Sequence, residues 1–69
     1  MKIVEIFQAN NVNIICVNRK LTWPERARKT AKIEDMTISV NDTTNDHWLS
    51  TRDTIQDPEA LAGKEIELI

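Results

Sequence analysis

One acidic stretch of this chain holds its only histidine: Asp42, Asp46, His47, Asp53 and Asp57 follow one another in "NDTTNDHWLSTRDTIQD". A carboxylate beside an imidazole can exchange protons with a substrate, and clustered carboxylates can hold a hard cation. Neither chemistry is completed here. No nucleophile, oxyanion donor or glycine-lined turn accompanies His47, and the acids lack the glycine turn and terminal bidentate Glu of a calcium loop.

Cys16 lies among Ile and Val, where a thiol usually serves as a small buried hydrophobe. One Cys and one His are too few for a structural zinc, and one glycine is too few for a phosphate-cradling loop. The residues therefore imply no enzyme, no bound metal and no cofactor. Asn41-Asp42-Thr43 matches the glycosylation acceptor pattern, but a tripeptide is weak evidence.

The other concentration of reactive types is "RKLTWPERARKTAK", residues 19–32, which holds six of the nine basic residues in a chain of net charge −2. By segment, residues 1–18 are neutral, 19–32 carry +5 and 33–69 carry −7. A block of cations beside Trp23 can neutralise phosphates and stack on a base, which makes a nucleic-acid-binding module one reading. The net acidity of the chain opposes it. A solvated helix face is the plain structural alternative.

The preferred reading joins both halves of the charge map: binding to another protein, with charge steering the encounter and tryptophan anchoring it. On this reading the contact residues are Trp23, Arg26, Arg28, Lys29, Lys32 and Trp48. The profile is that of a small regulatory or accessory protein, of the kind phages and mobile elements carry. A homodimer is also expected, because the terminal "EIELI" would offer an unpaired strand edge.

These residues need a scaffold, and 69 residues allow one domain, 1–69. Nine Ile and four Val favour strands, since stiff β-branched side chains suit a pleated surface. "KIVEIFQ" (2–8) and "NVNIICVN" (11–18) alternate as strands around an Asn-rich turn. "MTISV" (36–40) and "EIELI" (65–69) alternate as well, and "HWLST" (47–51) is a shorter candidate strand.

Between them, Pro24 and Glu25 suit a first helical turn, and Trp23, Ala27 and Ala31 recur every four residues. They predict a helix over about 24–33, its apolar stripe laid on the sheet and its cations outward. Asp57, Pro58, Glu59 and Gly63 predict a second, short helix.

The expected class is α+β: about five strands in an antiparallel or mixed sheet, ordered β-β-α-β-β-α-β, with the basic helix packed on one face. A small bent β-barrel is the alternative. No apolar run approaches a membrane span, and Glu5 interrupts the N-terminal one, so a cytoplasmic protein is expected.

Overall fold

The computed structural model describes residues 1–41 and 45–69. Asp42, the middle of the polar loop and most of the acceptor tripeptide lie outside the described residues. Among the described residues there are six strands: β1 (Ile3–Ala9), β2 (Val12–Val17), β3 (Thr30–Ile33), β4 (Met36–Ser39), β5 (Trp48–Thr51) and β6 (Ile66–Leu68). They form two antiparallel three-stranded sheets, ordered β1-β2-β5 and β4-β3-β6.

Two seams join the sheets through scattered hydrogen bonds instead of continuous ladders. At the first, Lys2 bridges Glu65, and the Ile3 and Ile66 amides donate to the Lys64 and Met1 carbonyls. At the second, the Asn41 amide donates to the Ser50 carbonyl, Asp53 accepts from the Ser39 amide, and the buried Thr51 hydroxyl donates to the Ser39 carbonyl.

The expected five-stranded sheet with a basic helix on its face is therefore wrong. The helix α1 spans only Trp23–Arg26, and the second expected helix is a 3-10 turn, Pro58–Leu61. Residues 30–33, assigned to the helix by period four, are strand β3. Ala31 and Ile33 face the core while Lys32 faces water, which is period two.

Tertiary pairing overrides local propensity here, because β3 is the central strand of its sheet and pairs with both β4 and β6. Glu34 and Asp35, expected beyond the end of a helix, are the two-residue turn of the β3–β4 hairpin, with Glu34 at φ 55°. Asn10 and Asn11, both at positive φ, make the matching turn between β1 and β2. Asn tolerates this region better than most residues.

The core lies between the two sheets. Ile3, Ile15 and Val17 of the first meet Ala31, Ile33, Ile38, Ile66 and Leu68 of the second, with Leu21, Val40, Leu49 and Ile55 completing the cluster. No helix among the described residues is long and apolar enough to cross a membrane.

Candidate interaction site

Leu21 and Thr22 set the geometry of the basic segment. Leu21 is buried in the core, and its amide donates to the Asp46 carbonyl at 2.6 Å, which pins the segment against the residues preceding β5. Thr22 is the N-cap of α1. Its hydroxyl accepts from the Glu25 amide, and the Glu25 carboxylate accepts in return from the Thr22 amide at 2.9 Å. This reciprocal box satisfies donors that a helix start would otherwise leave open. Arg19 closes the arrangement with two bonds to Glu25, at 2.9 and 2.7 Å.

A rigid turn results, and it holds Trp23 outward. Trp23 is 76% exposed, the most exposed large apolar side chain described. The Arg26 guanidinium lies over the indole, 4.5 Å from its centroid. Trp23 is thus not the sheet-facing end of a helical stripe. The four-residue helix buries none of its side chains, and Ala27 is exposed as well. Arg28 and Lys29 follow, both exposed, on the connection into β3.

The fold gathers Trp23, Arg26, Arg28 and Lys29 into one continuous surface segment, but it does not add Lys32 or Trp48. Lys32 stands on the outer face of the β4-β3-β6 sheet between Thr37 and Glu67. There it lines an open cleft of about 450 Å³ shared with Arg19, Glu25, Glu34, Glu65 and Glu67. Trp48 stands on the outer face of the other sheet, paired with Cys16, and is 37% exposed.

Within the chain, Arg19 pairs with Glu25, and Lys20 with Asp46 at 3.5 Å. The cap at Thr22 and the Arg19–Glu25 pair are not among the predicted contacts, although Thr22-x-x-Glu25 is a recognisable capping signature.

The Asp46–His47 pair exists: Nδ1 of His47 lies 2.7 Å from Oδ1 of Asp46. The hydrogen bond to His47 holds the Asp46 carboxyl below its usual range, with Lys20 helping. Nucleophilic chemistry finds no ready group in Cys16, whose thiol is pushed up by burial and then by the neighbouring Glu5. A thiol of raised pKa is mostly protonated and therefore a poor nucleophile. Among the described residues no three His, Cys, Asp or Glu side chains converge to hold a metal ion.

Comparison with known proteins returned nothing: no family model, curated protein or solved structure matches this chain. Function has to be read from its own residues.

Acid should loosen the turn. Hydrogen bonds from Arg19, and then from the Thr22 amide, pull the Glu25 carboxyl down from 4.5 to about 2. A depressed carboxyl contributes stability above its unfolded value and loses it as pH falls through its folded value. The contribution of Glu25 is therefore expected in full above about pH 4.5 and gone below about pH 2. Fluorescence of Trp23 in a Trp48→Phe background, followed from neutral to strongly acidic pH, should report the change. The same titration of Arg19→Ala should show it shifted to higher pH.

Proposed function

We propose that this protein acts by binding an acidic surface of another protein, with Trp23 as the anchor and Arg26, Arg28 and Lys29 as the steering charges. The observation that carries the reading is the exposed indole on a capped, ion-paired turn. A soluble chain seldom leaves so large an apolar ring in water, and Trp is among the residues most enriched at binding hot spots. Preorganisation adds to the argument. A ring already held in place loses little conformational freedom on binding.

Charge favours a protein over a nucleic acid as the partner. Arg19 and Lys20 are neutralised within the chain, and Lys32 faces a cleft lined by glutamates. Beside Trp23, Arg28 and Lys29 are exposed and Arg26 stacks on the ring, on a molecule of net charge −2. A small basic patch on a net acidic chain suits an acidic protein surface better than a polyanion, which usually meets a clearly basic domain.

Reversing Arg28 to Glu should slow association several-fold at low salt and flatten its salt dependence, while leaving dissociation nearly unchanged. Surface plasmon resonance against a partner captured by the wild-type protein reads both rates. Retained association kinetics would remove the steering role. If the ligand were instead duplex nucleic acid, three phosphate contacts would give a log-log salt slope of about −2.7.

A further inference from the structure

The two sheets present opposite characters to solvent. Outside β4-β3-β6, the central row is Thr37, Lys32 and Glu67, all polar. Outside β1-β2-β5, the register places Glu5, Cys16 and Trp48 in one row, Phe7, Ile14 and Ser50 in the next, and Ala9 with Val12 in the third. Apolar side chains dominate this second face. Phe7 is 46% exposed, and Val4, at the bulge in β1, is 56% exposed. Ile14 is 6% exposed yet stands outside the inter-sheet core cluster, so it is shielded by neighbours on its own outer face.

Charges mark two corners of that face. Glu5 sits in the row with Cys16 and Trp48, close enough to the thiol to raise its pKa. Arg52 follows Thr51, whose side chain is fully buried, so strand alternation turns exposed Arg52 outward at the Val12 end. The acid and the base therefore occupy diagonally opposite corners, with Ile14 midway between them. No ion pair holds either one among the described residues.

We infer that this face is the interface of a two-fold homodimer. A two-fold axis lying in the interface and passing over Ile14, roughly along the Ala9-to-Trp48 diagonal, exchanges the Glu5 and Arg52 corners. Each Glu5 then meets the Arg52 of the other copy, in two reciprocal pairs, while Phe7 covers the region between Val12 and Ile14. An isologous contact requires this kind of self-complementary pattern, in which residue i meets j and j meets i.

The edge of β6 is a poorer candidate, because Lys2 bridges Glu65 and the Met1 carbonyl takes the Ile66 amide. Three short strands offer only several hundred Å² per copy, at the low end of specific interfaces, so a weak, concentration-dependent dimer is expected.

Sedimentation equilibrium from about 1 to about 500 µM tests the proposal. The wild type should pass from monomer to dimer within that range, and Phe7→Asp should remain monomeric. Glu5→Arg and Arg52→Glu should each raise the dissociation constant about tenfold, and the double variant should return to within about threefold of wild type. Circular dichroism confirms that each variant is folded; should Phe7→Asp unfold, the charge-swap series decides by itself. A wild type that stays monomeric, a dimer that survives Phe7→Asp, or a double variant no better than the single ones overturns the interface.

Discussion

Ile15→Ala is expected to remove most of the stability of this protein. Ile15 is fully buried at the middle of β2, flanked across the ladder by Ile6 and Leu49, and its side chain belongs to the cluster that joins the two sheets. Truncating such a side chain costs about 2–5 kcal/mol, part from lost transfer energy and part from the cavity left behind. A domain of this size has about 3–10 kcal/mol in total. Among the described residues there is no second core to absorb the loss.

Urea denaturation should show the midpoint falling by about 2 M or more, since small domains lose about 1 kcal/mol per molar urea. The adjacent Ile14→Ala is the informative control. Ile14 is nearly as buried but lies outside the inter-sheet cluster, so its truncation should cost less than that of Ile15. Equal losses at the two positions would contradict the placement of the core between the sheets.

The second large effect concerns binding. Trp23→Ala should weaken the complex with the protein partner by about 2–4 kcal/mol, the range of a hot-spot tryptophan, which corresponds to roughly thirtyfold to a thousandfold in dissociation constant. Folding should hardly respond. The ring is 76% exposed, and its described contact is the cation–π stack with Arg26, worth about 0.5–1 kcal/mol at an exposed site.

Calorimetric titration of the partner, set beside thermal unfolding of the same variant, separates the two quantities. Unchanged affinity would show that the exposed ring is no anchor. Unfolding would show that it supports the fold. Trp48→Ala provides a contrast, because Trp48 sits on the sheet face assigned to self-association and its loss should act on the dimer.

Both predictions depend on where the chain places residues that look alike in sequence. Ile14 and Ile15 are neighbours of one residue type, and only the pairing of β2 between β1 and β5, with the second sheet over one of its faces, gives them different work. Sequence alone puts both tryptophans in one set of anchors. The fold puts Trp23 on a capped turn and Trp48 on a sheet face.

Alternation and turn chemistry, both local, were legible directly. The β1–β2 hairpin follows from apolar residues on alternate positions around Asn10 and Asn11, which accept positive φ. The inward Ile66 and Leu68 and the outward Glu65 and Glu67 follow from period two alone. Gly63 ends the 3-10 turn region at φ 84°, a backbone conformation that favours glycine.

Residues 23–33 were not legible in this way. Trp23, Ala27 and Ala31 satisfy the helical period, while Ala31 and Ile33 satisfy the strand period, and Ala is compatible with both. A helix of ten residues standing alone is marginal in water. The ladder bonds from β4 and β6, together with burial of Ala31 and Ile33, stabilise the strand, and both depend on segments distant in sequence. That competition also divided the basic block. The turn kept Arg26, Arg28 and Lys29 beside the exposed Trp23, and β3 carried Lys32 to the glutamate-lined cleft. Charge density was a property of the sequence, whereas the grouping of charges into a surface was decided by long-range strand pairing.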